Sequence, residues 1–126
     1  MNFENTVTDL LGRGLSVRFR ARGDSMHPSI RCGEPLHVDP VDAADLAPGD
    51  VVLARHHRGL TAHRVVRIER EAGRVVHIIT RGDNCDRDDR PFTPADLLGR
   101  VRAHPIRRRL SRWTRRAAAV LGAALR

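Results

Sequence analysis

A serine hydroxyl is a poor nucleophile until a base takes its proton, so the chemistry of this chain turns on whether Ser25, in R-G-D-S-M-H-P-S-I at 22–30, has such a base. Lysine is excluded: all 23 basic residues are arginine, and a guanidinium stays protonated in proteins. Seven histidines remain. His27, His37, His56, His57, His77 and His104 belong to no recognisable constellation and read as surface or strand histidines. His63 differs in its setting, T-A-H-R-V-V-R-I, near the start of a strand-like run and ahead of the acid-rich segment I-T-R-G-D-N-C-D-R-D-D-R at 79–90. Four carboxylates within residues 83–89 repel one another unless they are solvated, paired with arginine or set to orient a cation such as an imidazolium. A serine, a histidine and an acid are the ingredients of nucleophilic acyl transfer. Beside this stands a plain polar turn in which Arg81, Arg87 and Arg90 neutralise the acids. The segment also has something of a calcium loop, but it lacks the glycine and closing glutamate of one, so no metal is expected.

The elements that must position these groups are short. F-E-N-T-V-T-D-L-L-G reads as a helix ended by Gly12 or Gly14. Residues 15–22 then alternate, with Leu15, Val17, Phe19 and Ala21 on one face and Ser16, Arg18, Arg20 and Arg22 on the other, the period of a half-buried strand that delivers Ser25 at its end. Further strands are expected at 35–39, 51–55, 61–69, 75–80 and 97–102, separated by turn clusters such as A-P-G-D and E-A-G-R. The expected class is mainly β: an antiparallel sheet, coiled into a sandwich or partly open barrel, over residues 1–104, with 1–14 as a helical lead-in. With 126 residues and few aromatics, one domain with a Val, Leu, Ile and Ala core is expected.

The net charge of +8 is unevenly placed: residues 100–126 carry nine arginines and no acid. After Pro105, Ile106, Leu110, Trp113, Ala117, Leu121 and Ala124 recur at helical spacing, so 105–126 reads as a basic amphipathic helix. It has two readings, packing on the β domain or lying on an anionic membrane surface. One basic helix without an aromatic stacking platform argues little for nucleic acid. No stretch reaches the roughly 20 apolar residues of a spanning helix, and the N-terminus lacks the pattern of an export signal. The expectation is a cytoplasmic protein, with the inner membrane surface as a peripheral site, and with Cys32 and Cys85 as free thiols.

Taken in order, G-D-S-M-H-P-S-I with G-E-P-L, P-G-D-V-V-L-A, A-H-R-V-V-R-I, I-T-R-G-D-N-C-D-R-D-D and L-L-G-R-V resemble the boxes of type I signal peptidases and their LexA/UmuD-like relatives, over roughly residues 15–102. The H-R-V-V box is similar to that of the endoplasmic-reticulum and archaeal-type branch, which uses histidine where the common bacterial enzymes use lysine. The resemblance implies Ser25 as nucleophile, His63 as general base and Asp89 as the catalytic aspartate. Asp83 matches the G-D-N aspartate, for which catalysis and holding the loop both stay open. Met26 and Pro28 match the S-M-x-P shaping residues. Gly23 stands where the resembling enzymes commonly carry a serine that helps the oxyanion hole, and Asp24 replaces a smaller residue, although G-D-S-M is also a LexA/UmuD-type form. That leaves the Ser25 N–H, and a water, for the oxyanion; losing one such donor typically costs about a hundredfold.

What the resemblance implies is a small serine endopeptidase without cofactor or metal, cutting peptides or precursor proteins after small residues in extended segments. The contrasting reading is a catalytically inert module of the same fold that uses its basic tail to bind a membrane, nucleic acid or protein. The sequence assigns neither the natural substrate nor the oligomeric state.

Overall fold

A computed structural model describes residues 2–57 and 59–102; the expected helix at 105–126 and His104 lie outside the described residues. One helix, α1 (Phe3–Gly12), precedes six strands: β1 (Val17–Arg20), β2 (Pro35–Asp39), β3 (Val51–His56), β4 (Gly59–Glu71), β5 (Arg74–Arg81) and β6 (Leu97–Val101). All pair antiparallel in one sheet of order β1-β2-β6-β3-β4-β5, which leaves β1 and β5 at its two edges. This is the mainly antiparallel class expected from the turn rhythm.

α1 is fixed at both ends. The Asn2 side chain accepts the Asn5 N–H at 2.8 Å, and Glu4 places negative charge in the first turn. At the other end Gly14, at φ +83°, lets the chain turn back so that the Leu15 N–H reaches Leu10 O and the Gly14 N–H reaches Leu11 O. That closure corrects the expectation for Leu15. It belongs to the helix stop rather than to β1 and is 51% exposed, while Val17, Phe19 and Ala21 do pack on the core.

Two apolar clusters form, and β3 serves both. Val51 and Leu53 join α1 residues Val7 and Leu11 with Leu36, Val38 and Val101, whereas Val52 joins Val65, Ile78 and Leu46. V-V-L-A is therefore buried along its whole length, which is why it reads as an unbroken apolar run rather than an alternating one. β4 and β5 run longer than expected because they meet in a two-residue turn, Ala72 and Gly73, both at positive φ (50° and 79°).

Beyond β5 the chain doubles back along that strand's outer side: Asp89 N–H donates to Thr80 O, and Phe92 and Ile78 exchange backbone hydrogen bonds of 2.8 and 3.0 Å. At the far side of the sheet Asp39 gathers three donor atoms from two residues. It accepts from both ends of the Arg102 guanidinium fork and from Ser16 Oγ at 2.6 Å, and these donors, Arg102 first, hold its carboxyl down at about 2.

Candidate active site

Ser25 follows β1 in a tight turn in which the His27 N–H donates to Asp24 O and the Ile30 N–H to Met26 O. The Met26 side chain is buried beneath it, and the His27–Pro28 peptide is cis. The Ser25 carbonyl is held from the acidic segment: the Asn84 N–H donates to it at 2.8 Å, and Cys85 Sγ lies 3.9 Å away. Asn84 Nδ2 also reaches Asp24 O at 3.2 Å. The serine is therefore gripped by residues 60 positions downstream.

His63 sits in β4 opposite Val52 of β3. On its other side, β4 and β5 pair Val65 with Thr80, so the next like-facing residues along are His63 and Gly82. His63 Nε2 lies 3.0 Å from Ser25 Oγ, and Nδ1 lies 2.5 Å from Asp89 Oδ2. The ring is largely buried, with 11% of its side chain exposed, so these contacts fix its plane. With the proton on Nδ1 donated to the carboxylate, Nε2 presents its lone pair to the serine hydroxyl. Asp89 is itself set by Thr80, whose Oγ1 donates to the same oxygen at 2.8 Å.

Asp83 makes a different connection. Its carboxylate takes two parallel hydrogen bonds of 2.8 Å from Nε and Nη2 of Arg64, whose Nη1 donates to Gly49 O. The carboxylate holds the guanidinium charged, raising its pKa above the ordinary arginine value. The Asp83 N–H points to Met26 Sδ at 3.3 Å. Arg64 thus ties the acidic segment to β4 one residue beyond the histidine.

Gly23 adopts φ +84°, a conformation L side chains rarely hold, which gives a backbone reason for glycine where the resembling enzymes commonly carry serine. Gly82 is required for a different reason: a Cβ there would stand 2.6 Å from Ser25 O and 3.1 Å from His63 Nε2. Thr80, Gly82, Arg64 and Asn84 escaped the sequence reading as individual contributors. Their only signal was membership of the H-R-V-V and I-T-R-G-D-N boxes.

A cleft of about 820 Å³ opens beside Ser25 and His63, walled by Met26, Ile30, Leu36, Leu53 and Ala62 and, from α1, by Phe3. Among the described residues no group of three His, Cys, Asp or Glu side chains converges as a metal site, and Cys32 and Cys85 are both free thiols. No helix among them is long and apolar enough to cross a membrane.

The fold is an antiparallel β-sheet domain with this constellation on one side, and comparison with protein families gives its class. The chain belongs to the Peptidase S24-like family, whose model matches residues 9–102. A comparison with individually curated proteins gave no match.

Proposed function

We propose that the chain is a serine endopeptidase acting through an acyl-enzyme. The observation that carries this is the unbroken line of contacts from Ser25 Oγ to His63 Nε2, and from His63 Nδ1 to Asp89 Oδ2, in a chain of a peptidase family. Ser25 Oγ attacks the carbonyl carbon of a bound peptide while His63 Nε2 accepts its proton. Asp89 keeps the imidazole in the required tautomer and stabilises the imidazolium. The oxyanion is met by the Ser25 N–H, whose residue's own carbonyl is held away by Asn84. His63 then protonates the leaving amine, and water, activated by the same imidazole, releases the acyl group.

The histidine in the base position supports kinship with the Ser/His branch of signal peptidases over the Ser/Lys enzymes. The substrate in this reading is a peptide or precursor protein bound in extended form and cut after a small residue. Asp83 acts by holding its loop through Arg64 rather than by proton transfer. The arginine-rich segment at 105–126 anchors the enzyme peripherally on anionic membrane, which sedimentation with anionic vesicles, with and without that segment, examines directly.

The deciding experiment is incubation with a mixed peptide pool followed by mass spectrometry, with Ser25→Ala as control. Cleavage at defined positions that vanishes in the control is the expected result. Cleavage retained in Ser25→Ala, or no cleavage of any peptide in the pool by the parent chain, overturns the assignment.

A further inference from the structure

We infer that the cleft binds an extended peptide through an apolar, preferably aromatic, side chain seated against Phe3 and Phe19, several residues from the scissile bond. This rests on the peptidase reading for its orientation but concerns a part of the cleft that reading does not use. Phe3 is the first residue of α1, and it lies before residue 9, where the family match begins. It meets Phe19 of β1 edge to face, with ring centroids 5.3 Å apart and an interplanar angle of 83°. Phe3 nonetheless remains 58% exposed, so the aromatic pair presents apolar surface to the cleft instead of burying it.

Leu60 of β4 lines the same cleft and stands three residues before His63, about 10 Å along the strand. The helix that presents Phe3 is held in place, since Val7 and Leu11 are buried in the core and Arg55 contacts both Thr8 Oγ1 (3.3 Å) and Glu4 (3.8 Å). Glu4, ion-paired with Arg55, lines the cleft together with Arg20 and Arg22, so charge there is mixed and the preference rests on the apolar surface, where burying a carboxylate is costly.

The occupant is a peptide because β1 is an edge strand. Ala21 turns its N–H to Glu34 O and its C=O to the Gly33 N–H, both inward, so the alternate residue Arg20 offers its backbone groups to the open side. A strand can add there with alternate side chains entering the cleft. Seating one phenyl group against two aromatic rings at an open site corresponds to about tenfold in affinity.

The test uses the full chain carrying Ser25→Ala, so that binding is read without turnover. Fluorescence anisotropy is measured with labelled octapeptides of Ala, Ser and Thr in which Phe, Leu or Asp is walked through each position. The expected result is one position at which Phe binds about tenfold tighter than Ala, Leu less so and Asp weakest. Phe3→Ala should abolish that gain and Phe3→Leu should keep part of it, with circular dichroism showing both variants folded. A gain that persists in Phe3→Ala, no position with a gain, or binding of decanoate in place of every peptide overturns the inference. Cleavage of the peptide pool by the unmodified enzyme separates the two readings. Ser25-dependent cleavage without a Phe3-dependent gain removes only this subsite, whereas the gain without cleavage removes only the peptidase assignment.

Discussion

Thr80 holds Asp89 twice, its carbonyl oxygen accepting the Asp89 N–H and its hydroxyl donating to Oδ2, both at 2.8 Å. The acid that faces His63 is therefore placed by a residue on β5, and its aim depends on a methyl-sized polar group. Thr80→Val keeps the shape and deletes the hydroxyl. One hydrogen bond to a charged acceptor is worth about 1.5–3 kcal/mol, so kcat should fall about tenfold or more with KM little changed. Asp89→Asn, which disturbs the tautomer itself, should cost on the order of ten-thousandfold. Steady-state kinetics on a peptide identified from the pool checks both, and an Asp89→Asn enzyme as fast as Thr80→Val would contradict the assigned order of roles.

Gly82→Ala tests the close approach beneath the nucleophile. The added methyl would stand 2.6 Å from Ser25 O and 2.8 Å from Cys85 Sγ, closer than side chains come, and 3.1 Å from His63 Nε2, so the surrounding groups must shift. A displacement of about 1 Å at reacting groups costs on the order of a hundredfold in rate. The expected outcome is that loss of activity in a protein whose far-ultraviolet circular dichroism is unchanged.

The Arg64–Asp83 pair is mostly buried, with 24% and 16% of the two side chains exposed. Removing either charge strands the other, so Arg64→Met or Asp83→Leu should each destabilise by about 2–4 kcal/mol, while the double variant should lose less than their sum. Arg64→Lys is also expected to weaken the protein, because an ammonium cannot make the two-pronged contact. Urea denaturation of these four variants beside the parent provides the measurement.

Ala72 occupies a left-handed position at the β4–β5 turn, at φ 50°. A Cβ in that conformation costs about 1 kcal/mol, which Asn or Gly relieves in a turn of this type. Ala72→Gly and Ala72→Asn should both raise the melting temperature without altering peptide cleavage, since the turn lies outside the site.

Asp39 gives stability a pH dependence of known sign. Its carboxyl is depressed from 3.8 to about 2, chiefly by Arg102 and then by Ser16. The contribution is fully present above about pH 4 and is lost as pH falls through about 2. The group is largely solvated, so the effect is under about 1 kcal/mol. The stability margin of the parent over Asp39→Asn, followed by urea titration from pH 5 to 2, should close across that window.

Much of this architecture was legible in local chemistry. β2 falls on the expected residues because P-L-H-V-D is bounded by turn residues, and the helix closes on Gly14, which supplies the positive φ, while Gly12 stays within the last turn. Ser25, His63 and Asp89 were accessible through box order, which carries long-range information that periodicity lacks. What composition and spacing did not reveal was pairwise contact. Nothing in G-D-N distinguishes an aspartate that grips Arg64 from one that faces a histidine, because the difference arises from the β4–β5 register. Leu15 departs from the expected strand face for a related reason, as alternation continues across a helix closure that only backbone hydrogen bonds define.

The return of residues 82–92 along β5 has a consequence for behaviour in crowded solution. That segment supplies the carboxylate that faces His63 and at the same time occupies backbone groups through which an exposed strand would recruit another chain. Disturbing it would part Asp89 from His63 and bare a sticky margin in a single event, so loss of the proposed cleavage and self-association should be inherited together.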